Sequence, residues 1–149
     1  MKAIWSEDLG VGFKNIDDQH KTLISTINKF ESSMLGGTGR DVVLDVLKFL
    51  EIYTKIHFAT EEKYMQEYNY PNISEHQAQH KDFIDYIQKI KGAFSQNITH
   101  NDIISFHKKI LDWYVDHICK TDKLLGKFLR DCKTERNKKI LEYIKAQEK

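Results

Sequence analysis

The chain has 149 residues, a formal net charge of +1, 40% apolar and 30% charged residues, one proline and seven glycines. That length predicts one domain with its own core, and the balance excludes a disordered or collagenous chain. No apolar run approaches the roughly 20 residues of a membrane span, the acidic start at residues 6–8 precedes any apolar stretch and so excludes a secretory signal, and near-neutral charge excludes a dedicated nucleic-acid binder.

Residues 1–16 have no helical period and read as an arm packed on the body. A first helix is expected over about residues 18–34, with Leu23, Ile24, Ile27, Phe30 and Met34 inward, Asp17 or Asp18 as N-cap, and Gly36-Gly37-Thr38-Gly39 as its end. A second covers about 41–68, with Val43, Val46, Leu47, Leu50, Tyr53, Phe58 and Met65 inward, and is broken by Asn69-Tyr70-Pro71-Asn72. A third runs over about 74–94, capped by Ser74, with Phe83, Ile84, Ile87 and Ile90 inward. A fourth starts near Asn101 and carries Ile103, Ile110, Trp113, Tyr114, Leu124, Leu125 and Phe128. A last short helix is expected over about 133–147.

Four long amphipathic helices with short connections predict an all-α protein. Its form is an antiparallel up-down-up-down four-helix bundle with an N-terminal arm and a short C-terminal helix, one domain over 1–149. Residues 120–149 hold ten Lys or Arg against five Asp or Glu. The acidic residues are interleaved, so this tail reads as a solvated face. Two cysteines, Cys119 and Cys132, cannot build a disulfide framework and suit the reducing cytoplasm.

The histidines fall on the apolar stripes. His20 precedes Leu23 by three residues, and His57 follows Tyr53 and precedes Glu61 by four. His76 and His80 are four apart and lead into Phe83, while His117 follows Trp113 by four. Residues four apart share a helix face, so each of the four helices aims metal-competent groups at the core. One inward histidine is ordinarily a hydrogen-bonded core residue. Five with an inward glutamate would cost several kcal/mol per unpaired charged group, which a metal centre relieves. Asp122 follows His117 by five, about 140° off on an ideal α-helix. For both to reach one centre, the helix must widen locally or end there, and a π-type turn is the obvious solution. His107 lies about 15 Å along the helix from His117, and His100 sits in a polar turn. Both read as ordinary structural or surface residues.

Four segments, Ile16-Asp17-Asp18-Gln19-His20-Lys21, His57-Phe58-Ala59-Thr60-Glu61-Glu62, His76-Gln77-Ala78-Gln79-His80 and Trp113-Tyr114-Val115-Asp116-His117 through Asp122, resemble the hemerythrin family in its bacterial form. The resemblance covers about residues 1–130 and includes Trp5, Val11, Gly12 and Ile16 of the arm. It implies two iron ions (Fe2+/Fe3+) joined by an oxo or hydroxo bridge. By position, His76, His80 and His117 would hold one iron, His20 and His57 the other, and Glu61 and Asp122 would bridge them.

Coordination arithmetic agrees. Five imidazoles, two bridging carboxylates and a bridging oxygen fill two octahedra except for one position, on the two-histidine iron, and an open position there suits O2. Neutral imidazoles favour reversible O2 binding over O–O cleavage, for which carboxylate-rich sites stabilise high-valent iron. The expected function is therefore O2 carriage, storage or scavenging by a protein that is not an enzyme. The alternative is an O2 or redox sensor, or a peroxide- or nitric oxide-handling protein, on the same di-iron site. A ferritin-like oxidase lacks its Glu-x-x-His pairs here, and a zinc hydrolase lacks His-Glu-x-x-His and Cys-x-x-Cys.

Where the family commonly carries a leucine lining the O2 pocket, this chain has Tyr114. Two outcomes are open. Either the phenol lines the pocket and donates a hydrogen bond toward the oxygen species, or it turns away to a backbone carbonyl.

Overall fold

The computed structural model describes residues 2–148. Helix α1 (Lys14–Leu35) begins one turn earlier than residue 18 and has Phe13 at its N-cap. Asp17, expected as a cap, lies inside the first turn and accepts the Val11 N–H at 2.8 Å, so it ties down the arm. The helix ends at Gly36, and Gly37 takes φ +81°. Helix α2 (Gly39–Glu67) stops where Asn69 takes φ 54°, just before Pro71. Helix α3 (Ile73–Phe94) has Asn72 at its N-cap, and Ser74 lies inside the helix rather than capping it. Helix α4 (His100–Trp113) opens with a capping box. Thr99 Oγ1 accepts from Asp102 N at 3.1 Å, and Asp102 Oδ2 accepts from Thr99 N at 2.7 Å.

The chain does not break after α4. A π-helical segment, Tyr114–Asp122, joins it to α5 (Lys123–Gln147), with right-handed helical dihedrals at Trp113 and Lys123. The result is one helical run of about 70 Å at 1.5 Å per residue. The expected short C-terminal helix is thus no separate element. It is the end of this run, because residues 130–136 contain no Gly, Pro or Asn to stop a helix. What stops near residue 130 is burial: Leu125 and Leu129 are fully buried, whereas Ile140, Leu141, Tyr143 and Ile144 are exposed.

Helices α1, α2, α3 and the α4–π–α5 run pack up-down-up-down as a four-helix bundle. The core has two apolar clusters. One holds Leu23, Ile27, Phe30, Leu50, Phe83, Phe106 and Ile110 among others. The smaller one, at the other end, holds Val11, Ile16, Met65, Tyr70, Leu125 and Leu129. By their positions along the helices, the inward histidines, Glu61 and Asp122 form a polar layer between the two clusters.

The arm is strapped across the bundle. Asn28 takes both backbone groups of Ala3, Oδ1 accepting from N at 3.0 Å and Nδ2 donating to O at 2.8 Å. Farther on, Arg130 donates to Gly10 O and Lys133 to Gly12 O. Gly126 is required here, since a Cβ would meet Gly10 O at 3.0 Å and the Val11 backbone at 3.1 Å. Gly12, at φ +82°, lets the arm turn. Among the described residues, no helix is long and apolar enough to cross a membrane.

Candidate metal centre

His20, His57, Glu61, His76, His80, His117 and Asp122 meet in the polar layer, and none is more than 2% exposed. Their donor atoms form two overlapping groups. Glu61, His76, His80, His117 and Asp122 make one; His20, His57, Glu61 and Asp122 make the other. Within each group the ligand atoms lie within 4.8 Å of one another.

Each carboxylate divides its two oxygens. Glu61 Oε1 faces His57 Nε2 at 2.9 Å and His20 Nε2 at 3.2 Å. Its Oε2 faces His80 Nε2 at 3.0 Å and His76 Nε2 at 3.3 Å. Asp122 Oδ2 lies 3.0 Å from His20 Nε2, while its Oδ1 lies 3.0 Å from the Nε2 atoms of both His76 and His117.

Short as these distances are, most do not form directed hydrogen bonds. Nε2 of His20, His80 and His117, Oε1 of Glu61 and both oxygens of Asp122 are buried without a hydrogen-bond partner. Buried polar atoms are ordinarily paired. Lone pairs converging on common points without donors between them are what a cation requires.

Local sequence explains the placement. His57/Glu61 and His76/His80 are one α-turn apart and need no distortion. His117 and Asp122 are five apart and share a face only because the helix is π-helical across Tyr114–Asp122, as the spacing suggests. His107 packs against Phe30 at 5.6 Å between ring centroids, outside the cluster, and burial lowers its pKa. His100 is exposed at the start of α4.

Tyr114 is buried, and its hydroxyl is engaged by the arm. It donates to Ile4 O at 2.5 Å and accepts from Ile4 N at 3.0 Å. Of the two outcomes open for this residue, the hydroxyl takes the backbone one.

Three supporting residues carried no signal in the sequence argument. Gln19 Oε1 lies 2.6 Å from His57 Nδ1, Gln79 Oε1 lies 2.7 Å from His117 Nδ1, and Glu62 Oε1 lies 2.9 Å from His80 Nδ1. An acceptor at Nδ1 holds the proton there and leaves Nε2 as a bare lone pair aimed inward. The usable signal is that each glutamine directly precedes an inward histidine, Gln19-His20 and Gln79-His80, so one helix both supplies a donor and orients its neighbour's.

Aromatic rings set the imidazole planes. Phe58 stacks on His80 at 3.8 Å and 3°, Trp113 on His117 at 3.9 Å and 12°, and Tyr53 on His57 at 5.0 Å and 23°.

Electrostatics follow from the crowding. Burial pushes the Glu61 and Asp122 carboxyls up, but the surrounding imidazoles override it and hold both well below the usual carboxylate range. Burial likewise opposes charge on His20 and His76, yet Asp122 and Glu61 raise them to about 10 and about 9. At His117 burial prevails and the pKa falls. Without metal, two imidazolium groups therefore balance two carboxylates.

Four helices converging imidazoles and carboxylates on one buried cluster define a metal-binding helix bundle. A family model described as the Hemerythrin HHE cation binding domain matches residues 11–129, and the chain belongs to the hemerythrin family. It is 33% identical to a bacteriohemerythrin of Methylococcus capsulatus over 118 residues, covering 78% of this chain and 86% of that one. It is 31% identical over 125 residues to myohemerythrin-1 of Phascolopsis gouldii, covering 83% of this chain and 92% of that one. In structure it is similar to a hemerythrin point mutant solved by crystallography. The TM-score is 0.70 at 28% identity, over 85% of this chain and 95% of the other.

Proposed function

We propose that this protein holds two irons and binds O2 reversibly. In this reading His76, His80 and His117 would hold one iron and His20 and His57 the other, with Glu61 and Asp122 shared between the two and an oxo or hydroxo group completing the site. Irons held there would supply the O2-binding chemistry, on the side of His20 and His57.

The observation that carries the reading is the division of the carboxylates. Glu61 offers Oε1 to His20 and His57 and Oε2 to His76 and His80, and Asp122 is divided in the same sense. An iron pair there supplies the two electrons that O2 takes up on binding and returns on release.

The chain's own contribution is to hold and to orient. Gln19, Gln79 and Glu62 keep the proton of their histidines on Nδ1. Phe58, Trp113 and Tyr53 cover the imidazole faces and fix their planes. A donor set of five neutral imidazoles suits binding better than oxidative turnover, so the role is carriage, storage or scavenging rather than catalysis. Tyr114 lines the O2 pocket with its ring while its hydroxyl stays with Ile4. The compartment is the cytoplasm, which suits the free thiols of Cys119 and Cys132.

The test is iron quantification and a visible spectrum of aerobically purified protein. Two irons per chain, charge-transfer bands of an oxo-bridged pair, and bleaching on reduction that reverses with O2 support the reading. A single metal per chain, or zinc in place of iron, overturns it. Replacing Tyr114 with Phe and with Leu then tests the ring: Phe should match Tyr in O2 dissociation and Leu should depart from it.

A further inference from the structure

Two of the inward histidines, His57 and His117, also line clefts at the surface. The cleft at His57 is about 210 Å³, bordered by Phe49, Ile52 and Ile56, with almost no polar lining. The cleft at His117 is different in kind. It is about 320 Å³, lies between α3 and α4, contains Trp113 and Phe83, and is rimmed by Asp82, Asp112 and Asp116, with Lys109 as the one cation in its lining among the described residues. The Trp113 ring stacks on His117 at 3.9 Å and 12°, and Phe83 stacks on Trp113 at 4.2 Å and 17°. A π-stack thus runs from a solvent-open cleft onto an imidazole of the centre, one side chain deep.

We propose that this cleft is the docking site for the positively charged face of an electron-carrier protein, and that Trp113 passes the electron to His117. The inference rests on the di-iron reading. An O2-binding centre that oxidises to the ferric state is inert until it is reduced again. Each donor molecule gives up one electron. Two encounters reduce two ferric ions, and the bridging oxygen takes one proton from water.

Charge selects the partner. Three rim carboxylates face one lining lysine. The two neighbouring cations, Lys108 bonded to Asp112 at 2.7 Å and Lys120 bonded to Asp116 at 3.1 Å, sit in exposed pairs. Such pairs are weak, and a partner's lysines can replace them. Complementary charge raises association rates, and brief redox encounters need only a small interface. Lys109 lies over the Tyr86 ring at 5.4 Å.

Cytochrome c, a basic haem protein, serves as the probe. A carbodiimide joins touching carboxylates and lysines directly, and mass spectrometry locates the links without reference to iron. Links are expected at Asp82, Asp112 and Asp116, and links concentrated elsewhere overturn the docking site. Zinc-substituted cytochrome c, excited by light, then acts as donor to the oxidised iron protein. Trp113→Leu should slow transfer within the complex, measured at saturating partner, at least tenfold, and Trp113→Phe, which keeps a ring on His117, should recover much of it. The combined Asp82→Asn, Asp112→Asn and Asp116→Asn variant should weaken association at least tenfold at low salt with the internal rate unchanged. Equal transfer rates in the wild type and Trp113→Leu, with spectra showing intact iron in both, overturn the relay. Wild-type protein that lacks two irons defeats the functional reading instead, and the cross-link map still decides whether the cleft docks a basic protein.

Discussion

His57 on α2 and His117 on the π-helical segment are held alike. Each has its Nδ1 against a glutamine from a neighbouring helix, Gln19 at 2.6 Å and Gln79 at 2.7 Å, and each has an aromatic ring on its face. Their helices are not alike. His57 shares a straight α-helix with Glu61, four residues on, whereas His117 reaches a common point with Asp122 only through nine π-helical residues. Their surroundings differ too: an apolar groove beside His57, and an aromatic, carboxylate-rimmed cleft beside His117. The lesson is that one donor unit, an imidazole oriented by an amide and covered by a ring, works on either backbone. The backbone then determines how much else must be distorted and braced. The π segment has such a brace, since Gln79 Oε1 also accepts from Thr121 Oγ1 at 2.9 Å.

Breaking what the halves share should have the largest effect. Glu61→Ala removes a carboxylate that faces both groups and leaves buried imidazolium without its counter-charge. Losing one member of a buried charged set costs about 3–5 kcal/mol. Metal content should fall below one per chain and the melting temperature should drop, as measured by metal analysis and calorimetry. An unchanged metal content would contradict the shared role.

Removing one orienting amide should separate the halves. Gln19→Leu and Gln79→Leu are each expected to weaken metal binding about 10–100-fold. Gln79→Leu should be the worse, because it also releases Thr121 and loosens the π segment. Chelator competition ranks them, and the reverse order would show that the segment needs no brace.

The metal-free protein offers a comparison by pH. His20, of the two-histidine group, is raised to about 10, and His76, of the three-histidine group, to about 9, by Asp122 and Glu61. A raised histidine pKa contributes stability that is full below the unfolded value of about 6.5 and is lost as pH rises through the folded value. The metal-free melting temperature should therefore fall between about pH 7 and pH 10, with His76 losing its proton first. Metal uptake near pH 7 should release about two protons, one from each group, as read by calorimetry in buffers of different ionisation enthalpy. Uptake without proton release would mean both imidazoles are already neutral.

The smallest effect concerns the arm, which is bonded to the π segment through Tyr114. Tyr114→Phe removes the hydroxyl that bonds Ile4 N–H and C=O; Ile4 is exposed, so water can take its place, and the cost should be about 0.5–1.5 kcal/mol. Amide exchange should quicken at Ile4, while Asn28 still holds Ala3. Unchanged exchange at Ile4 would mean that the other ties of the arm, Asn28 to Ala3 among them, fix it without the Tyr114 hydroxyl.

Helix period, glycine and proline punctuation and the spacing of seven polar residues are local properties. They sufficed to place four helices, an arm, and the five histidines with Glu61 and Asp122 on inward faces. The five-residue step from His117 to Asp122 pointed to a break in the α-helix there, because a fixed angle per residue cannot aim both inward, and of the two ways out, widening or ending, the chain takes the π-helical one. Local pattern misplaced what local pattern does not control. Asp17 looks like an N-cap in sequence, yet its carboxylate answers the Val11 N–H of the folded-back arm. The apolar stripe lapses after Leu129 as though a helix ended, yet α5 runs on to Gln147, since leaving the core ends burial without ending backbone hydrogen bonding.

Partners distant in the chain were settled by the tertiary structure alone. Gln19 with His57 and Gln79 with His117 are each 38 residues apart, and the Tyr114 hydroxyl meets Ile4 across 110. A helical period states which way a side chain points. What stands opposite depends on the crossing and relative height of packed helices. A hydroxyl free to rotate binds whichever acceptor that packing brings within 3 Å.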